Sequence, residues 1–341
     1  MRPVRRRIGR ANGRQRGYVL LMVITTLAVI AFVALRFAER IDLLRGNALG
    51  LRDYAAARVS ASGAQAATLY WLATRPVMPT GHGDALGALH EDGRLYRLGD
   101  GALVSVQDQR GLLSVNALNR AALLNLLIQD GVEPVRAQAW MDVLEDYIDT
   151  DRLKRLNGAE QPEYAALGLA APRNDWLLSL RELDHMPLWR DDPERLVRLS
   201  RRLSVAISNQ FNPNTASPEV LRAIFPSAAP EQLDLLLTLR KGGLLSRGGF
   251  AARAIGLPMD REDYWFLPGF ETRITVWAPG LPRAIEYNAR VTPAGTVGPW
   301  VFTEKHNVRR PSQSNEPSAA LPFPLALAAS GPSFPASVAA R

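Results

Sequence analysis

The sequence predicts an α+β chain in which one long N-terminal helix packs on a small antiparallel sheet and a large helical domain is inserted between the strands. Three observations carry this. An uncharged run from Tyr18 to Leu35 leads into helix-periodic sequence that continues to about Thr74. Strand-like segments stand at Leu95 to Val115 and again from Phe270 to Thr303. Between them, from Asn119 to about Arg202, the apolar period is helical.

The first helix starts with the apolar run. Tyr18 to Leu35 spans ~27 Å at ~1.5 Å per residue, enough to cross a hydrocarbon core. Ahead of it lie Arg2, Arg5, Arg6, Arg7, Arg10, Arg14 and Arg16 with no acidic residue. Such a leader stays on the cytoplasmic side and directs the C-terminal bulk across the membrane. The small residue Gly17 precedes the apolar run, so a cut there leaves the helix on the mature chain. An uncleaved signal anchor has the same insertion physics.

Beyond Leu35 the helix goes on: Ile41, Leu44, Ala48, Leu51 and Ala55 recur at three- and four-residue spacing, followed by the Ala-rich stretch from Tyr54 to Ala73. Gly46, Gly50 and Gly63 weaken it and permit a bend. Pro76, Pro79 and the Gly81-His82-Gly83-Asp84 sequence predict a linker loop, with neither the strand nor the helix of a phosphate-binding fingerprint around it.

Leu95 to Leu98, a turn at Gly99-Asp100-Gly101 and Ala102 to Gln107 read as a hairpin, with a further short strand from Leu112 to Val115. Thr272 to Trp277, Ala284 to Val291 and Trp300 to Thr303 are the closing strands. The helical block shows a faint repeat. Ser114-Val115-Asn116-Ala117-Leu118-Asn119 and Gln210-Phe211-Asn212-Pro213-Asn214-Thr215-Ala216 each open a helix after an Asn-rich turn, with Ser217 as cap and Pro218 as first helical residue in the second. Two small helical bundles in tandem are expected. The tail from Arg309, with six prolines among Ser and Ala, reads as disordered.

The net charge of +8 is that of the leader: without its seven arginines the balance falls to +1. A mature chain near neutrality has no long-range pull on a polyanion. The absence of cysteine excludes disulfides and thiol chemistry. His82, His90, His185 and His306 lie on separate segments without ligand spacing, and no nucleophile elbow or phosphate loop is present. The tryptophans are most economically core or interface residues. A non-enzyme is expected.

Basic leader, Gly17, Tyr18 and apolar helix together resemble the class III signal of type IV pilins and pseudopilins. The resemblance implies cleavage by prepilin peptidase between Gly17 and Tyr18 and N-methylation of Tyr18. Most such proteins carry Glu at the fifth mature position, where this chain has Met22. That departure fits the minor pseudopilin K pattern, and the family places its K subunit at the tip. Asp146-Tyr147-Ile148-Asp149-Thr150-Asp151, Asn157-Gly158-Ala159-Glu160 with Tyr164, Pro172-Arg173-Asn174, Leu180-Arg181-Glu182-Leu183 and Asn212-Pro213-Asn214-Thr215-Ala216 resemble signatures of the protein K family of type II secretion, in order. With leader and strands the similarity spans most of residues 1–303.

The family likeness implies a pilin-like fold whose inserted domain holds two SAM-like or helix-hairpin-helix-like units. The expected divisions are a cleaved leader (1–17), the transmembrane part of the helix (18–38), its continuation with the first strands (39–115), the helical units (116–208 and 209–269), the final strands (270–308) and the tail (309–341). It also implies a single-pass protein of the bacterial inner membrane with a periplasmic C-terminal domain. Partners would be the minor pseudopilins I and J, further pseudopilins, prepilin peptidase and secreted substrates. Family members of this kind bind calcium in the helical domain, and hard cations want clustered oxygens. Asp149, Asp151 and Glu160 are the candidate Ca2+ ligands, with Asn157 or Glu163 as further donors; Arg152, Lys154 and Arg155 could instead neutralise a solvated acidic helix end.

A second reading stays open from sequence. Asn212-Pro213-Asn214-Thr215-Ala216 also resembles the opening of helix-hairpin-helix modules, which would make the chain a membrane-tethered DNA-binding protein of an uptake system. The hairpin glycines are missing between Ile224 and Pro230, and Lys241-Gly242-Gly243 and Arg247-Gly248-Gly249 are more economically surface loop.

Overall fold

A computed structural model describes residues 15–84, 87–99, 101–117, 119–208, 210–243, 245, 254–259, 262–309 and 320–324, with side chains from Tyr18 on. The chain divides into residues 1–57 and 58–341. The expected leader lies outside the described residues up to Arg14, and so does most of the expected disordered tail.

The described part of the first unit, from Gln15 on, is helix. Helix α1 runs Gln15–Thr74 without interruption, so Gly46, Gly50 and Gly63 do not end it. Each of the three has open space where a Cβ would stand, so nothing there forces the ladder apart. The residues from Tyr18 to Leu35 are exposed, an apolar surface with no partner among the described residues. The side chains of Thr25 and Thr26 turn back onto the carbonyls of Leu21 and Met22, which satisfies the hydroxyls within the helix itself.

In the second unit α1 buries one face. Ala61, Ala64, Thr68 and Leu72 recur at three- and four-residue spacing and are all at most 2% exposed. Next come β1 (Val77–Met78), β2 (Gly81–Asp84) and β3 (Gly87–His90), which pair in that order as a small antiparallel sheet. The sequence predicts a linker here. The strands form because glycine lets the partner come close: a Cβ on Gly81 would collide with the Leu89 carbonyl. Trp71 seals the arrangement by donating its indole N–H to the His82 carbonyl at 2.9 Å.

Strands β4 (Asp92–Arg97) and β5 (Leu103–Asp108) form the expected hairpin. The chain then leaves the sheet. It passes through β6 (Leu113–Ser114), α2 (Arg120–Gln129), α3 (Pro134–Ile148), α4 (Gln161–Ala166), α5 (Pro193–Ser200), β7 (Leu203–Ser204), α6 (Pro218–Ile224) and α7 (Pro230–Lys241). It returns as β8 (Glu271–Trp277), β9 (Ala284–Val291) and β10 (Trp300–Val308), and β11 (Leu321–Pro322) follows. The main sheet has the order β10-β9-β8-β5-β4-β11, antiparallel throughout except where β11 joins β4 in parallel. The short strand expected at 112–115 is β6, and it pairs with β7 inside the insertion rather than with the main sheet.

The insertion is helical, as expected, with one shared core. Leu123, Leu126 and Leu127 of α2 are buried in the same cluster as Val220, Leu221 and Ala223 of α6, so the first expected unit packs directly on the second. Trp140 and Trp189 lie 4.9 Å apart at its centre, and the Trp189 indole donates to the Trp140 carbonyl at 2.9 Å. At ~1.5–3 kcal/mol for each large apolar side chain fully buried, a core of this extent folds without disulfides. The tail departs from the expected disorder at residues 320–324, where it pairs with β4 and buries Phe323.

Candidate functional site

Two features carry chemistry beyond packing: the exposed apolar start of α1 and a group of carboxylates at the end of α3. In the first, Tyr18 to Thr74 is apolar enough at its N-terminal end to cross a membrane, with a mean hydropathy of 2.7 over the best window, none of it buried. Gly17 lies within the helical backbone that begins at Gln15. Tyr18 and Met22 both face outward. The first charges after Tyr18 are Arg36 and Glu39, which pair with each other at 3.2 Å.

The second feature follows from helix spacing. Asp142, Glu145, Asp146 and Asp149 recur at one-, three- and four-residue steps and lie on one side of α3. Two arginines meet them. Arg120 pairs with Asp142 at 3.1 Å and with Glu145. The Nη1 of Arg155 reaches Asp146 at 2.7 Å and Asp149 at 2.5 Å, and its Nε lies 2.9 Å from Glu145. Asp146 is fully buried and also accepts the Arg155 backbone N–H at 3.2 Å. Gly158 passes so close that a Cβ there would fall on the Asp146 carboxylate.

The five candidate ligands part company here. Asp149 stays in the cluster as the residue capping α3, and its Oδ1 is buried with no hydrogen-bond partner. Glu160 is buried, its Oε1 likewise without a partner. Burial, then the charges of Asp146, Asp149 and Asp151, push the Glu160 carboxyl above its usual range. Asp151 turns to solvent and accepts the Leu153 N–H at 2.7 Å. Asn157 donates to Asp142 at 3.1 Å. Glu163 takes Lys154 at 2.8 Å and the Glu160 backbone N–H at 3.0 Å. As the side chains are placed, no three of the described His, Asp or Glu groups stand in metal-holding geometry. Asp146, which sequence reasoning left out of the ligand set, sits at the centre, and the carboxylate spacing along α3 was the signal for it.

Carboxylate oxygens are the donors that hard cations take. Two buried carboxylate oxygens, Asp149 Oδ1 and Glu160 Oε1, lack hydrogen-bond partners, and the Arg155 guanidinium stands on Asp146 and Asp149. Above them the Tyr164 hydroxyl is also buried without a partner.

The asparagine turns are accounted for by structure. Asn212 and Thr215 donate to Asp108 at 2.9 and 2.8 Å. Asn214 donates to the Phe266 carbonyl at 3.0 Å. Asn116 holds the Leu177 N–H and the Leu177 and Val205 carbonyls. Asn212, Asn214 and Thr215 are at most 1% exposed, so this turn offers nothing to a phosphate backbone. That removes the residues on which the DNA-binding reading stood. Lys241-Gly242-Gly243 is exposed at the end of α7, while Arg247-Gly248-Gly249 lies outside the described residues.

Comparison with known proteins agrees with the fold. The family model described as Type II secretion system (T2SS), protein K, first domain, matches residues 96–206. Type II secretion system protein K of Klebsiella pneumoniae is 28% identical over 169 residues, covering 46% of this chain and 52% of that relative. The chain thus aligns with about half the length of the curated relative it matches. Among solved structures, the GspK-GspI-GspJ complex from the enterotoxigenic Escherichia coli type 2 secretion system has a chain of the same fold. The TM-score is 0.53 at 16% identity, over 76% of this chain and 98% of that one.

Proposed function

We propose that this chain, similar to protein K of type II secretion in sequence and in fold, is a minor pseudopilin of a type II secretion pseudopilus. The observation that carries the reading is the fold itself: a continuous 60-residue helix, apolar and unpartnered at its start, joined to a pilin-type sheet with a helical domain inserted between β5 and β8. Pilin-type assembly needs such a helix, because helices that pack along their length bury the faces a single subunit leaves exposed. The α1 surface from Tyr18 to Leu35 is that face and doubles as a single membrane anchor.

In this reading the leader arginines hold the N-terminus in the cytoplasm and the residues after the anchor fold in the periplasm of the inner membrane. Prepilin peptidase removes residues 1–17 and Tyr18 becomes the methylated N-terminus. Counterparts of minor pseudopilins I and J are the partners, as in the complex that the related chain forms. The role is structural, and the bulky insertion suits a subunit at the tip, near secreted substrates. A calcium ion is held by Asp149 and Glu160 together with Asp146, and supplies the positive charge that the unpartnered oxygens lack.

The test is co-purification of the full chain with its I and J counterparts from detergent-solubilised membranes, with the mature N-terminus read by mass spectrometry. A stoichiometric complex whose K subunit begins at Tyr18 is expected. A chain that stays alone in the presence of both partners, or that keeps residues 1–17 beside active peptidase, refutes the reading.

A further inference from the structure

Among the described residues of the tail, the short strand β11 pairs with the sheet, and its sequence is built for one-sided pairing. Leu321 and Pro322 lie opposite Tyr96 and Arg97 of β4, and the Phe323 N–H donates to the Arg97 carbonyl at 2.9 Å. In a strand, successive amides point to opposite sides. Phe323 therefore turns its amide toward β4, while the outward positions on either side are Pro322 and Pro324, which have no amide hydrogen. The strand bonds to β4 and offers no donor to anything beyond it, which is how a sheet edge is closed.

The side chain does the rest. Phe323 is 1% exposed and sits edge-on to two rings, Trp71 at 6.1 Å and Tyr96 at 6.3 Å. Edge-to-face contacts at this spacing are favourable beyond area alone. Both rings are fixed from elsewhere: Trp71 by its bond to the His82 carbonyl, Tyr96 by accepting the His90 backbone N–H at 2.8 Å. The receptor half of this contact does not depend on the tail for its position.

We infer that the β4 edge, with Trp71 and Tyr96, is a peptide-docking site of the strand-addition type, and that Leu321-Pro322-Phe323-Pro324 is its tethered, dissociable ligand. The site reads an aromatic residue flanked by prolines, main-chain bonds giving affinity and the ring pocket giving selectivity. Tethering keeps the tail docked by effective concentration, although so short a strand has little affinity of its own. When the tail leaves, the β4 edge and Trp71, one helical turn from the end of α1, become available to another extended segment.

The experiment uses the full-length chain in detergent, a second form ending at Arg309, and a labelled peptide of residues 318–326. Saturable binding to the shortened form, at least about tenfold weaker binding to the intact chain, and loss of about 100-fold or more with the Phe323→Ala peptide are expected. Equal binding to both forms, or none to a folded shortened form, overturns the proposal. Should the shortened form fail to fold, a protease site placed at residues 313–316 is cut in the folded full-length chain. A tail fragment that leaves on dilution, with the remaining chain folded and open to peptide, supports a dissociable ligand. A fragment that never leaves, or whose departure unfolds the chain, shows a structural strand and overturns it.

Discussion

Asp108→Ala should be among the most damaging single changes outside the apolar start of α1. The carboxylate is fully buried at the end of β5 and accepts four hydrogen bonds. Oδ1 takes the backbone N–H groups of Arg110 at 3.1 Å and Gly269 at 3.0 Å, and Oδ2 takes Asn212 at 2.9 Å and Thr215 at 2.8 Å. Burial pushes the carboxyl up, and the four donors pull it back down. Truncation strands all four donors, and each buried donor left unmade costs about 1–3 kcal/mol, some of it recovered by water entering the gap. A total of about 3–5 kcal/mol is expected, the range for breaking a buried charged network by removing one partner. Denaturant unfolding of the detergent-solubilised chain, followed by tryptophan fluorescence, would show it as a lowered midpoint at unchanged slope. Asn212→Ala on the Asp108→Ala background should then cost much less than on the native chain, because the partner has already gone. A loss below about 1 kcal/mol, or full additivity of the two changes, would refute the assignment of Asp108 as the node of this network.

Three further expectations follow from particular contacts. Gly158→Ala drives a Cβ onto the buried Asp146 carboxylate and should cost about 1–3 kcal/mol of stability, measured by the same unfolding assay. His306, placed 3.4 Å from both Glu286 and Glu304, has its pKa raised, first by the Glu286 hydrogen bond. The folded value then exceeds the unfolded one, so its contribution is fully present below about pH 6.5 and is lost as pH rises through the folded value. His306→Gln should flatten the fall in stability across that window, by about 1 kcal/mol or less. Added Ca2+ should raise the melting temperature of the native chain, and the double change Asp149→Asn with Glu160→Gln should abolish the rise; a native chain indifferent to calcium and chelator refutes the cation assignment.

How far the sequence reveals the fold depends on the range of the interactions involved. Helix α1 was legible to its last turn because its signal is local: an apolar run, a three- and four-residue period and a proline stop at Pro76. The strands β5, β8 and β9 were legible through β-branched alternation. The sheet from Val77 to His90 was hidden because its glycines have low strand propensity, and only the close approach of β3 gives them a reason. Residues 320–324 were hidden for the opposite cause: prolines read as strand breakers, yet at a sheet edge they only remove outward donors. Near the glycine loop at Gly158, Asp149 caps α3 and Glu160 is buried, placements that depend on contacts made after the chain folds. Asp151 is oriented by the local turn, where it accepts the Leu153 N–H.

The network at Asp108 also explains how an insertion of this size stays a dependable part of the second unit. It begins directly after β5, and Gly269, two residues before β8, donates to the same carboxylate that caps the first turn of the insertion. Both ends of the excursion are therefore fastened to one buried group. A second fastening lies across the sheet, where the buried Arg273 of β8 donates to the Ser200 and Leu203 carbonyls at 2.8 and 2.7 Å. Gln109 adds a third, linking Asn288 of β9 to Ser204 of β7 at 3.1 and 2.6 Å. Two flexible strands of chain would let the helical domain swing about its connections, whereas three separate polar ties suppress that freedom. The asparagine-rich turn is then a device for holding the helical insertion on the sheet. Its polar side chains are buried because their partners lie within the chain: Asp108 of β5 for Asn212 and Thr215, and the Phe266 carbonyl for Asn214.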